Sequence, residues 1–303
     1  MFQTPGRSLL ILLLMLVALP QAVLGQEPGE ISKNQAAAVP DTLRGWDMSW
    51  VAGLNIAQAA YSNWSRGGVN SYNLTSNSQI KLMYKRGRFA YDLHLTTRYG
   101  QARIQDEGVR KTEDQLRIRN RFLYDIGDGG EDFKLFGNFN FQTQYTEGFD
   151  YGAGPEGGNV LISDFFSPAT FNQNAGLAYF PGTDFSLEAG LGLKQTVIKD
   201  TTLSTRYGLD PGQTFRMEAG IALGINFERE IMEDVSYYAY IETFTNAFRA
   251  IRETNVFFTN QFKGKVNSHI NVLFQLDLVY DPDFSRRMQL AQTFSAGLSL
   301  NIY

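Results

Sequence analysis

The chain has no cysteine among its 303 residues. That excludes a disulfide framework, a thiolate metal site and a lipidated cysteine at a mature N-terminus. An excess of charge of one sign is also missing. Lys and Arg number 27 and Asp and Glu 31, for a net charge of -4, which gives no electrostatic reason to expect nucleic acid as a partner. Histidine is limited to His94 and His269, at distant points in the chain. There is no metal-ligand spacing, no phosphate-cradling glycine loop and no triad with orienting partners, so no catalytic, cofactor or metal residue is nominated and no enzymatic activity is expected. Barrel phospholipases place histidine and serine two residues apart on one strand, whereas here His94 is followed by Thr96. Long apolar runs are absent beyond the N-terminus. No later segment approaches about 18 apolar residues, which excludes a membrane-spanning helix.

The N-terminus is the exception. MFQTPGRSLLILLLMLVALPQAVLGQ carries Arg7, then an apolar run from Leu9 to Leu19, then Val23-Leu24-Gly25. This pattern predicts a secretory signal peptide over residues 1–25, cleaved after Gly25. Residues 26–45 read as a polar periplasmic leader without structure of its own.

What the mature chain does have is alternation of period two. In FKLFGNFNFQTQY (133–145), Phe133, Leu135, Phe139, Phe141 and Tyr145 share one parity, while Lys134, Asn138, Asn140, Gln142 and Gln144 share the other. Twelve such segments are predicted: 46–60, 71–85, 88–100, 112–125, 132–146, 170–180, 184–195, 213–228, 233–247, 254–265, 269–281 and 290–303. Most exceed the average of about five or six residues in soluble sheets. They match the roughly nine to eleven needed by a tilted strand that crosses a membrane.

The connections alternate too. Those at 85–87, 127–131, 181–183, 229–232 and 266–268 are short, and those at 61–70, 101–111, 147–169, 196–212, 248–253 and 282–289 are long. Outer-membrane barrels have short periplasmic turns and long external loops. Aromatic pairs Tyr72/Tyr84, Phe133/Tyr145 and Phe215/Phe227 each lie 12 residues apart on the apolar face, with Phe89/Tyr99 slightly closer. Such spacing suits two interfacial girdles. The predicted fold is therefore all-β: a single antiparallel transmembrane barrel of 12 strands over 46–303 in the bacterial outer membrane, closed because an open edge in hydrocarbon leaves backbone groups unpaired.

The stretches GLNIAQAAYSNWSRGG (53–68), ISDFFSPAT (162–170) and KGKVNSHI (263–270) resemble the domain of unknown function 3078 family, predicted outer-membrane barrels of Gram-negative bacteria. The resemblance runs over roughly residues 45–303 and implies a location and an architecture, not an activity. Barrel proteins of this kind end in an aromatic residue that assembly machinery reads, and Tyr303 is aromatic, though Phe294, Leu298, Leu300 and Ile302 share the opposite parity. The expected partners are outer-membrane lipid, that machinery through the C-terminal strand, and small polar solutes.

Inward parity nominates the pore lining. Asp92, His94, Thr96 and Arg98 share one face of the third predicted strand, and Arg117, Arg119 and Arg121 share one face of the fourth. Asp92 is expected opposite Arg119 or Arg121. Further inward acids are Glu188, Glu218, Glu242 and Asp277, accompanied by Lys194, Arg216, Lys263 and Lys265. Two readings stand open. In one, arginines face acids across an eyelet and orient small polar or anionic solutes, as in a porin-like passive channel or binding barrel. In the other, the charges pair and fill a narrow lumen, and the barrel is structural or adhesive, with external loops that bind a partner. Among loop residues, Trp64 and Arg66 are candidates to stack on a ligand, and Phe165 and Phe166 are expected to fold inward over the pore mouth.

Overall fold

The computed structural model describes residues 39–40, 42–59, 70–127, 132–182, 184–266, 270–282 and 285–301. The expected signal peptide, most of the leader, Trp64, Arg66, His269 and Tyr303 lie outside them. Among the described residues no helix is long and apolar enough to cross a membrane.

In chain order the strands are β1 (Gly45–Ala59), β2 (Ser71–Arg86), β3 (Phe89–Ile104), β4 (Gly108–Asp125), β5 (Phe133–Thr143), β6 (Gly148–Asp150), β7 (Val160–Ser163), β8 (Ala169–Tyr179), β9 (Phe185–Val197), β10 (Phe215–Met232), β11 (Val235–Asn246), β12 (Asn255–Lys265), β13 (Ile270–Asp281) and β14 (Ser285–Asn301). All but β6 and β7 form one antiparallel sheet in which each strand pairs with its neighbour in sequence, β5 pairing with β8. The order returns on itself, because β14 pairs with β1 from Val51↔Asn301 to Leu54↔Leu298. This seam is short. On its other edge β1 pairs with β2 along its whole length, from Gly45↔Lys85 to Ala59↔Ser71.

Two connections are shorter than the sequence pattern predicts. β3 runs on to Ile104 and β4 begins at Gly108, with Asp106 (φ 67°) and Gly108 (φ 79°) reversing the chain. Likewise β13 ends at Asp281 and β14 begins at Ser285. In the extra length only Ala102 and Ile104 share an apolar parity before the charged turn, too short a run to mark a strand (QARIQDEGVRK, residues 101–111). In the other direction, β5 stops at Thr143 and leaves Tyr145 beyond its end. There the Asp114 carboxylate accepts from the backbone N–H groups of Tyr145 (2.8 Å) and Thr146 (2.9 Å).

The two faces of the wall differ in chemistry. Outward positions are apolar and bare: Leu191 is 74% exposed and Met217 59%, with Leu135, Phe139 and Leu177 on the same surface. Aromatic rings gather where the short turns lie, in contacts such as Trp46–Tyr84 at 4.6 Å, Tyr91–Phe122 at 5.0 Å, Phe133–Tyr179 at 4.7 Å and Tyr237–Phe262 at 4.7 Å. Inward positions are polar through the middle of the wall and apolar near both ends. Ala90, Leu123, Phe136, Ala178 and Phe180 pack with Val39 and Leu43 of the leader at the turn end. Phe244, Phe257 and Val279 pack together toward the loop end. The wall bends where Gly176 faces Gly190. A Cβ at Gly176 would stand 2.1 Å from the Ala189 carbonyl oxygen, so only glycine fits there.

The two longest loops form one packed unit. β6 pairs with β7 inside the 144–168 connection. Ile198, Leu203 and Leu209 of the next long loop pack with Leu161 and Tyr207. The Tyr207 hydroxyl donates to the Ile162 carbonyl at 2.7 Å, and its burial raises the phenol pKa. Ser167, fully buried, accepts through Oγ from Lys199 N–H (3.0 Å) and Asp200 N–H (2.8 Å). Ser167→Ala takes this acceptor from Asp200 N–H and leaves Lys199 N–H with its bond to the Phe166 carbonyl, a loss of about 1 kcal/mol. Hydrogen exchange at Asp200 should accelerate while the strand amides stay protected; unchanged exchange would mean that Ser167 does not tie the loops.

Candidate functional site

The interior of the barrel is the place where charge collects. β3 and β4 set Asp92 opposite Arg121, His94 opposite Arg119 and Thr96 opposite Arg117. Next along the sheet, β5 sets Gln142, Asn140 and Asn138 opposite Arg117, Arg119 and Arg121. Three guanidinium groups two residues apart on one strand repel one another unless acids approach them.

The acids come from both sides. Asp92 lies 3.6 Å from Arg119 and 2.9 Å from His94 Nε2. Arg121 forms an ion pair with Glu188 on β9, three strands away in the sheet order. Arg117 is within electrostatic reach of Glu242 on β11, and its Nε and Nη2 groups donate to Gln142 Oε1 at 3.1 and 3.0 Å. Arg119 and Arg121 thus each have a carboxylate within reach, and Arg117 is held by the Gln142 amide. The Tyr240 hydroxyl donates to Glu242 at 2.8 Å. Arg121 is also held over the Phe180 ring at 5.8 Å, a cation–π contact. These groups fill the space between them: Arg121 and Asp92 are each 1% exposed, and Glu242 is 2% exposed.

The remaining pore-lining candidates divide. Arg216 and Glu218 form a separate cluster near the loop end of β10, with Nη2 3.2 Å from the carboxylate, and Glu218 also accepts from Asn246 at 2.9 Å. Asp277 accepts from Thr259 at 2.7 Å and from Gln275 at 2.5 Å. Arg98 is half-buried, opposite Asn77 and Gln115. Lys263 is exposed near the turn end of β12 and does not join the buried set.

Phe165 and Phe166 require a correction. They do not fold over the pore mouth. Phe166 packs on Phe141 at 5.7 Å, and Phe141 has the outward parity of the wall. The cause is the path of the loop, which Ser167 and Thr143 tie down beside β5: Thr143 Oγ1 accepts from Phe166 N–H at 3.1 Å.

Several interior residues escape a reading by alternation. Asp281 is one: it pairs at 3.6 Å with Lys194, an expected inward residue, and joins β13 to β9 across the loop end. Tyr238 and Tyr240 share the inward parity of Glu242 and Phe244, yet aromatics in a barrel sequence read first as lipid contacts. Parity within YYAYIETF was the available signal.

Residues 56–149 match the model of the family described as Protein of unknown function (DUF3078). The match includes most of the 53–68 stretch that carries the sequence resemblance; the stretches at 162–170 and 263–270 lie beyond it. No curated protein matches the chain. Solved structures similar to it include the translocator domain of the autotransporter NalP from Neisseria meningitidis, at 12% identity over 86% of this chain and 89% of that one, with a TM-score of 0.41. The KdgM porin follows at 8% identity over 84% and 99%, TM-score 0.33. The toluene transporter TodX of Pseudomonas putida has 9% identity over 85% and 80%, TM-score 0.35. At these scores the likenesses carry no functional argument.

The Arg121–Glu188 pair gives a direct test. Arg121→Gln or Glu188→Gln alone strands a buried charge, which costs about 3–5 kcal/mol. The double substitution removes both charges and should recover most of that loss. Urea unfolding of the four proteins measures it; single and double variants that lose stability additively would show that the pair is not coupled.

Proposed function

We propose that this chain is a bacterial outer-membrane β-barrel that is closed at rest and acts through its structured loop face rather than as an open porin. The observation that carries the reading is the Arg121–Glu188 ion pair, buried in the lumen toward its turn end between strands that are not neighbours. The outward apolar wall beside a polar interior supports the membrane location, because that pattern suits lipid outside and water or paired charge inside. The partners proposed with it are outer-membrane lipid, the barrel assembly machinery at the C-terminal strand, and a ligand of the loop platform. No enzymatic activity is proposed.

A second reading, passage of small polar or anionic solutes, is favoured by one observation. The buried side-chain amides of Asn138 and Asn140 have no protein hydrogen-bond partner, and buried amides need one. These two sit beside the arginine row, so that wall is suited to water or an anion once the lumen opens.

Single-channel recording in planar bilayers separates the readings. Wild type should be silent. The Arg121→Gln/Glu188→Gln double variant should show conductance steps, because it removes the pair that joins β4 to β9. Steady, salt-dependent steps in wild type would overturn the closed reading, and replacing Arg117, Arg119 and Arg121 by glutamine should then lower the anion-to-cation permeability ratio.

The membrane reading has its own test. In lipid, Phe139→Arg should cost about 2–4 kcal/mol of unfolding free energy, the usual range at the bilayer midplane. Asn140→Ser, on the opposite face, should cost less than that. Equal losses would contradict the assignment of faces.

A further inference from the structure

On the outer wall, just above the loop ends of β9 and β10, a groove of about 540 Å3 opens between Phe165, Phe166, Val197, Thr214 and Phe215, with Lys199 on its rim. Val197 and Phe215 are register partners. They share the parity of Leu191, Leu193 and Met217, so they belong to the lipid-facing surface, not to the lumen. Below the groove the apolar surface continues. Phe166 contacts Phe141 at 5.7 Å, Phe141 contacts Phe171 at 4.9 Å, and Phe171 contacts Phe139 at 6.3 Å. The rings form a track down the wall from the groove toward the middle of the membrane.

The groove is held open at a conformational cost. Phe166 has φ 57°, a left-handed backbone that a bulky residue rarely adopts. Such strain persists only where neighbours enforce it, and it clusters at binding sites. Here Phe166 N–H donates to Thr143 Oγ1 (3.1 Å), and its carbonyl accepts from Lys199 N–H at 2.9 Å. One strained residue therefore fixes both the aromatic wall of the groove and the backbone of the one cation on its rim. The neighbouring acid is turned away: the Asp200 carboxylate accepts from Thr202 N–H (2.9 Å) and the Thr202 hydroxyl (2.7 Å). Lys199 is exposed.

A trench of rings facing lipid, continuous with an apolar track and bearing a single positive charge at its upper rim, matches one chemistry. We propose that this groove seats one acyl chain of an anionic membrane lipid, with the phosphate of its headgroup on the Lys199 ammonium. The inference rests on the membrane reading above.

The experiment uses the whole mature chain inserted into vesicles of dimyristoyl phosphatidylglycerol and dimyristoyl phosphatidylcholine in equal parts. The protein is then extracted and weighed by native mass spectrometry. The two lipids have identical chains, so the ratio retained reports the headgroup contact and the total reports the groove. Wild type should keep one lipid, with the anionic one favoured about fivefold, as expected for one exposed charge pair. Lys199→Gln should bring the ratio to parity. Thr214→Trp, which fills the groove, should lower retention of both lipids about tenfold. Equal retention by wild type and Thr214→Trp overturns the groove, and an anionic preference kept in Lys199→Gln overturns the headgroup contact. Wild type that inserts but keeps no lipid sinks this proposal alone. Wild type that does not insert into vesicles sinks the membrane reading, and this proposal with it.

Discussion

A sheet surrounded by hydrocarbon has nowhere to leave an unpaired amide. Each exposed backbone group at an edge would cost several kcal/mol, so the only stable antiparallel arrangement is one that returns to its first strand. Here β14 comes back to β1, and the consequences reach well beyond the backbone. Closure turns one face of every strand inward. It brings β9 and β11 toward the inner face of β4, although neither is its neighbour in the sheet. Glu188 meets Arg121 for that reason alone.

The interior then has to satisfy two opposed demands. Guanidinium and carboxylate groups taken out of water lose hydration worth several kcal/mol each, and only close, well-bonded partners offset the loss. The lumen meets this by matching Asp92 and Glu188 to Arg119 and Arg121, with Gln142 bonded to Arg117 and Tyr240 to Glu242. Apolar clusters lie toward the two ends, one built on Phe136 and Phe180 and the other on Phe244 and Phe257. They shield the charged layer from bulk water and strengthen the attractions within it. A layer of this kind resists opening, because separating any pair leaves a charge in a poorly hydrated place.

Alternation made most of this legible. It located the 12 wall strands to within a few residues and assigned Phe139 and Asn140 to opposite faces. It failed where the alternating run is too short to stand out from a charged turn, as in the extensions of β3 and β4 around residues 101–111. It failed again for Phe165 and Phe166, because a loop has no parity and its path depends on hydrogen bonds to Ser167 and Thr143, made by residues remote in sequence. The arginine row was visible, as were the acids that share the inward parity. Asp92 lies opposite Arg121 and reaches Arg119, as hairpin pairing suggested, but the meeting of Glu188 with Arg121 was not legible, since it depends on strand stagger around the closed sheet. The inward tyrosines of β11 were hidden by a competing expectation, that aromatics in such a chain belong to lipid.

The same wall therefore carries two different kinds of specificity. Inside, Arg121 with Glu188 and Arg119 with Asp92 form buried pairs, while the Asn138 and Asn140 amides beside them have no protein hydrogen-bond partner. Outside, the bare surface is apolar almost everywhere and would accept any lipid chain. It becomes selective only where the fold adds shape and charge, at the point where the β5–β8 connection presses Phe166 against the top of the wall and brings Lys199 beside it. That point is also where the two long loops are tied together through Ser167. The residues that shape the groove are therefore also residues that hold the two long loops in place: Phe166 bonds to Thr143 and Lys199, and its neighbour Ser167 to Lys199 and Asp200.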